Sequence, residues 1–121
     1  MSNKKYVENG GFKYLTSGEG QPIVILHGLM GGLGNFQGFI SHFPKQGYKI
    51  FMPELPIYSA SLLNTNVKYF AKFIKNFIKF LGIDQPIFVG NSLGGHVGLL
   101  HAKLFPSNTK ALILTSGKKR K

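Results

Sequence analysis

The residues best suited to do chemistry lie in one short run, Gly90-Asn91-Ser92-Leu93-Gly94-Gly95, which has the form G-x-S-x-G. A serine hydroxyl is a weak nucleophile and has to be presented where a base can reach it. A sharp strand-to-helix turn presents it, with backbone strain at the serine. Gly90 and Gly94 suit such a turn because side chains there would collide across it, while Gly95 and Gly98 let the following helix start close to a sheet. Each glycine in an early helical turn costs about 1 kcal/mol against alanine, so their presence asks for a reason. The plainer alternative is a glycine turn with an incidental serine. The flanks favour the nucleophile: Ile87-Phe88-Val89 reads as a strand and Val97 to Leu104 as a helix.

Acyl transfer also needs two backbone N–H donors for the oxyanion of the tetrahedral intermediate. The first is expected at Leu93, directly after the nucleophile. The second is expected in His27-Gly28-Leu29-Met30-Gly31-Gly32, which follows the apolar run Ile23 to Leu26. Gly28 and the pair Gly31-Gly32 permit the backbone turns that aim an N–H inward. Leu29 is the chosen donor and Met30 the alternative. His27 is read as a brace for this loop rather than as a base.

The other histidines offer less. His96 sits one helical turn after Ser92, where the helix directs it away from the hydroxyl. His42 and His101 read as ordinary helix residues. The carboxylates are Glu8, Glu19, Glu54 and Asp84. Asp84 precedes the elbow strand and so falls at the wrong end of a sheet. Glu54 follows a strand at the right end but would be an unusual acid partner. No His/Asp/Glu cluster has metal-ligand spacing, and no metal or organic cofactor is expected.

These residues must be positioned by alternating strands and helices. Lys5 to Val7 and Phe12 to Thr16 read as short strands about the hairpin signal Asn9-Gly10-Gly11, followed by a turn over Ser17 to Gly20. Pro22 to Leu26 is a continuous apolar run, as in a strand buried on both faces. His27 to Gly34 is a glycine-rich loop, Asn35 to Phe43 a short helix ending near Pro44, and Tyr48 to Met52 a strand. Asn66 to Leu81 is the clearest helix: Val67, Phe70, Phe73, Ile74, Phe77, Ile78 and Leu81 repeat at helical spacing, and Gly82 can end it. Lys68, Lys72, Lys75 and Lys79 line its other face and are read as solvated, although a basic amphipathic helix can also lie on a membrane surface. Pro86 to Val89, Ser92 to Phe105 and Lys110 to Thr115 complete a strand, a helix and a strand. Such alternation implies a parallel sheet with right-handed crossovers.

The chain has 121 residues, 43% of them hydrophobic, enough for one globular domain. It has no cysteine, which excludes disulfides, thiolate metal sites and a cysteine nucleophile. The polar N-terminus lacks a signal-like apolar stretch, no run is long enough to span a membrane, and a cytoplasmic location is expected. Fifteen Lys+Arg against four Asp+Glu give a net charge of +11. One of the fifteen is arginine, whereas phosphate and base readers lean on arginine forks, so no specific nucleic-acid partner is expected.

His27-Gly28-Leu29 with Gly31-Gly32 and Asn35-Phe36 resembles the oxyanion loop of α/β-hydrolase-fold proteins. Gly90-Asn91-Ser92-Leu93-Gly94-Gly95-His96 resembles their nucleophile elbow, in a form similar to that of carbon–carbon bond hydrolases and related esterases. The resemblance runs from about Tyr6 to Gly117. It implies an eight-stranded, mostly parallel sheet, of which this chain is the N-terminal half, with an N-terminal hairpin and flanking helices. It also implies hydrolysis of an ester-like or C–C bond of a small-molecule substrate through Ser92.

In that family the triad acid and histidine follow later strands, and no position here matches them. The cap that shapes the substrate pocket, and two strands beyond Ala111 to Leu114, are likewise unmatched. The expectation is therefore a partial domain over 1–117, inactive alone, from a truncated, frame-shifted or split gene, with a basic tail Lys118-Lys119-Arg120-Lys121. The alternative is a non-catalytic remnant or a basic binding module for anionic surfaces.

Overall fold

The computed structural model describes residues 4–27, 37–55, 67–91 and 93–115. Among these residues six strands form one sheet: β1 (Lys5–Asn9), β2 (Phe12–Gly18), β3 (Gln21–Leu26), β4 (Tyr48–Pro53), β5 (Ile87–Asn91) and β6 (Ala111–Thr115). Three helices among the described residues accompany them: α1 (Gln37–His42), α2 (Val67–Leu81) and α3 (Leu93–Leu104). The strand order is β1-β2-β4-β3-β5-β6. β3 pairs parallel with both β4 and β5, and β5 with β6; β1–β2 and β2–β4 are antiparallel. The fold is thus the mostly parallel, helix-flanked sheet with an N-terminal hairpin that the sequence implies.

The hairpin turn is Gly10-Gly11, with φ of 60° and 85° and Asn9 opposite Phe12. Two successive positive φ values make a turn whose twist matches the strands. β2 runs two residues further than expected, through Ser17 to Gly18, because it pairs along its length with β4, from Tyr14↔Pro53 to Gly18↔Lys49. Polar Ser17 gives no local sign of strand; the neighbouring ladder holds it there, at 5% exposure.

β3 is buried on both faces, and its side chains divide the core. Val24 and Leu26 pack with Phe51, Phe70, Ile74, Phe77, Phe88 and Val97. Ile23 and Ile25 pack on the other side with Leu15, Ile40, Ile50, Met52 and Val89. Helices α2 and α3 therefore cover one face and α1 the other, giving three layers. Each fully buried aliphatic or phenyl side chain contributes roughly 1.5–3 kcal/mol. That outweighs the few tenths lost to each like-charged lysine pair spaced i, i+4 on α2.

Two local departures and one expected helix end have physical causes. The first short helix ends at His42 and passes into a 3-10 turn, Phe43–Gln46, because Pro44 cannot continue the α-helical hydrogen bonds. Helix α2 ends at Gly82 as expected, where the Ile83 N–H donates to Ile78 O at 2.9 Å. Lys75, read as solvated, is instead half-buried: its Nζ donates to Asn108 Oδ1 at 3.0 Å and sits 4.6 Å from the Phe105 ring centre.

β6 is an edge strand, with Ile113 46% and Leu114 51% exposed. The opposite edge, β1, shows polar Lys5, Glu8 and Asn9 to solvent.

Candidate active site

Strand β5 ends at Asn91 and helix α3 begins at Leu93, so a single position separates them. The glycines on either side explain how the chain reverses so tightly. A Cβ on Gly90 would lie 2.6 Å from Gly94 O and 2.8 Å from Gly95 Cα. A Cβ on Gly94 would overlap the backbone carbonyl of Leu26. Both positions are therefore backbone against backbone, with no room for the smallest side chain. Gly98 is a milder case, its nearest neighbour being the flexible end of Leu112, and Gly95 has ordinary clearance.

The Gly94 contact also ties two distant stretches of chain together. Leu26 is the last residue of β3 and lies opposite Gly90 in the β3–β5 ladder. The loop beginning at His27 and the turn between β5 and α3 thus start from touching backbones at the carboxyl edge of the sheet. Ser92, Gly28, Leu29 and Met30 themselves lie outside the described residues, as do Gly31 and Gly32.

Leu93 is the first residue of α3 and is half-buried. The first N–H groups of a helix have no partner within it, and the helix dipole leaves them partly positive. No acidic side chain sits in the first turn of α3 to satisfy them.

Asn91 adds a feature that sequence reasoning missed. It is 4% exposed, and its Oδ1 accepts a hydrogen bond from Thr115 Oγ at 3.2 Å. Asn91 and Thr115 are the last residues of adjacent strands and lie opposite each other. The bond fastens the residue just before position 92 to β6. Its sequence signal is faint, a polar residue ending each of two apolar runs.

His27 is half-buried and lines a cleft of about 340 Å3 with Tyr6, Lys13, Tyr14, Leu15, Met52, Pro53 and Glu54. The Glu54 N–H donates to Lys13 O at 2.8 Å, which anchors the chain leaving β4. Glu54 is at the carboxyl edge of the sheet, the same edge as the elbow glycines. Asp84 lies before β5, at the opposite edge, lining a cleft with Lys75, Lys79 and Asn108. His42 and His96 are exposed.

His101 corrects a reading from sequence: it is not an ordinary helix residue but is fully buried. Its ring stands 4.8 Å from that of Phe88 and 5.1 Å from that of Phe105. Nδ1 lies 3.2 Å from Thr109 Oγ, and Nε2 is buried without a partner among the described residues. Burial, and secondarily the charge of Lys75, lowers its pKa to about 4. It sits in the last turn of α3 beside Thr109, away from the elbow. Among the described residues no three His, Asp or Glu side chains come together as a metal site. No helix among them is long and apolar enough to cross a membrane.

The family model for the alpha/beta hydrolase fold matches residues 21–119. This chain belongs to the α/β-hydrolase-fold family. Among curated α/β hydrolases it is similar to a 2-hydroxy-6-oxononadienedioate/2-hydroxy-6-oxononatrienedioate hydrolase of Comamonas testosteroni, 31% identical over 93% of this chain and 42% of the relative. It is also similar to a 2-hydroxy-6-oxo-6-phenylhexa-2,4-dienoate hydrolase of Burkholderia cepacia, 30% identical over the same shares. A solved α/β hydrolase, MGS-MChE2 from the sediment metagenome of the Mar Chica lagoon in Morocco, is 55% identical. It superposes with a TM-score of 0.87 over 91% of this chain and half of its own. An epoxide hydrolase of Vigna radiata shares the fold, with a TM-score of 0.80 at 24% identity. The chain spans about 42% of the length of the curated relatives it matches.

Proposed function

We propose that the protein containing this chain is a hydrolase of an ester-like or C–C bond, with Ser92 as its nucleophile. The observation that carries the reading is the close backbone packing of Gly90, Gly94 and Leu26 about the single position between β5 and α3. A turn this tight has little purpose in a plain α/β packing, where an alanine would be cheaper in a helix. It suits the presentation of a nucleophile at the carboxyl edge. The curated relatives are named as hydrolases of 2-hydroxy-6-oxo dienoates, which supports a keto- or ester-carbonyl substrate.

In this reading Ser92 Oγ attacks the substrate carbonyl carbon while a histidine takes its proton. The Leu93 and Leu29 N–H groups bind the oxyanion. Each such donor is worth about 10²–10³-fold in rate. His27 and Gly28 shape the loop that carries Leu29, and Gly90 and Gly94 shape the turn that carries Ser92. Residues 1–121 hold no position matching the family's triad acid or histidine, so a polypeptide of these residues alone is expected to be nearly inactive.

Hydrolysis of p-nitrophenyl acetate tests this at two lengths. The full-length protein should turn over the ester and lose at least about a thousandfold in kcat/KM on Ser92→Ala. Retention of more than about a tenth of the activity in that variant would remove Ser92 from the mechanism. Vigorous, Ser92-dependent turnover by residues 1–121 alone would refute the reading that no histidine among them serves as the base.

A further inference from the structure

The outer face of α2 is organised in a way the hydrolase reading does not use. Lys68, Lys72, Lys75 and Lys79 recur at i, i+4, i+7 and i+11, and Tyr69, Phe73, Asn76 and Phe80 form a second stripe with the same spacing beside them. The helix contains no acidic residue. Like charges spaced i, i+4 repel, and a lysine in the first turn opposes the helix dipole. Lys75 is drawn inward to Asn108 and Phe105, while Lys68, Lys72 and Lys79 are exposed. Asp84 lines the same cleft as Lys79.

Two rings stand beside these lysines. Tyr69 and Phe80 are each 43% exposed, near the two ends of the helix. Phe80 lies 5.3 Å from Phe12 and over Gly10 of the hairpin turn, and Tyr69 is 5.4 Å from its chain neighbour Phe70. Exposed aromatic rings flanking a row of lysines match the chemistry of the lipid headgroup region. There the rings sit at the boundary and the ammonium groups meet anionic headgroups.

The structure assigns the α2 face as a docking surface for an anionic lipid bilayer, with Lys68, Lys72 and Lys79 as the electrostatic contacts and Tyr69 and Phe80 as shallow interfacial anchors. Charge complementarity favours this occupant. The chain carries fifteen cationic side chains, fourteen of them lysine, against four acidic ones. Lysine is a compact point charge suited to a diffuse anionic plane, whereas nucleic-acid readers rely on the planar fork of arginine. The assignment does not depend on the hydrolase reading.

Sedimentation of the full-length protein with vesicles tests it. Phosphatidylcholine vesicles containing about 30% phosphatidylserine should bind the protein, and pure phosphatidylcholine vesicles should not. A lysine at an anionic surface changes partitioning by about fivefold, so Lys68→Gln/Lys72→Gln/Lys79→Gln together should weaken it by about a hundredfold. The equal-charge control Lys13→Gln/Lys45→Gln/Lys110→Gln, at exposed positions off this face, should lose far less. Tyr69→Ser should weaken binding severalfold, and circular dichroism checks that each variant is folded. Equal losses in the two triple variants would overturn the assignment, as would equal binding to uncharged vesicles. So would binding of a single-stranded oligonucleotide, lost with the α2 triple variant, when vesicles are not bound.

Discussion

Replacing Gly94 and Gly95 by alanine, one at a time, gives opposite predictions from adjacent positions in one helix. Alanine is preferred over glycine in a helix by about 1 kcal/mol, so propensity alone would stabilise both variants. At Gly95 the new methyl would meet the Leu114 side chain at 3.5 Å, an ordinary contact. Gly95→Ala should therefore be neutral or gain up to about 1 kcal/mol. At Gly94 the methyl would overlap the carbonyl of Leu26, in a strand bonded on both sides, to β4 and β5. That carbonyl cannot retreat without disturbing the β3–β5 ladder, in which Leu26 pairs with Gly90. Overpacking costs typically 1–3 kcal/mol, and a backbone obstacle belongs at the upper end. The two variants should differ by about 3 kcal/mol in unfolding free energy, measured by urea titration of the full-length protein. Activity should fall with Gly94→Ala, because relief of the overlap moves the start of α3 away from β3. Equal stabilities for the two variants would refute the close approach of α3 to β3 and, with it, the account of the turn.

Two further outcomes follow from buried polar groups. His101 titrates at about 4 when folded and near 6.5 when unfolded, so the unfolded chain binds more protons between those values. Its neutral form contributes fully above about pH 6.5, and that contribution falls away as pH drops through about 4, by about 3 kcal/mol at most. Stability curves between pH 7 and 4 should be flatter for His101→Leu than for the parent; parallel curves would refute this. Thr115→Val keeps the shape but leaves Asn91 Oδ1 buried and unpaired, which should cost about 1–3 kcal/mol in chemical denaturation. A neutral result would show that the bond does not hold the end of β5.

Much of the architecture was legible because it depends on local pattern. The unbroken apolar run Ile23 to Leu26 marked a strand with two buried faces, and the helical repeat from Val67 to Leu81 marked α2 almost to the residue. Glycines at 90 and 94 marked a tight turn, since steric freedom is a property a residue type carries with it. Asn9-Gly10-Gly11 marked the hairpin for the same reason.

Tertiary structure decided whatever depends on a neighbour far along the chain. His101 looked like any polar helix residue, and only the docking of α3 beside Phe88 and Thr109 buried it and lowered its pKa. Lys75 fitted the lysine stripe of α2 until the turn after α3 brought Asn108 and Phe105 to it. Ser17 became strand because β4 lay alongside it, and Asn91 was fastened by the end of β6. Residue type and spacing fix backbone freedom and amphipathic faces, but burial, hydrogen-bond partners and proton affinity depend on which surfaces meet, and those surfaces meet only once the sheet has assembled.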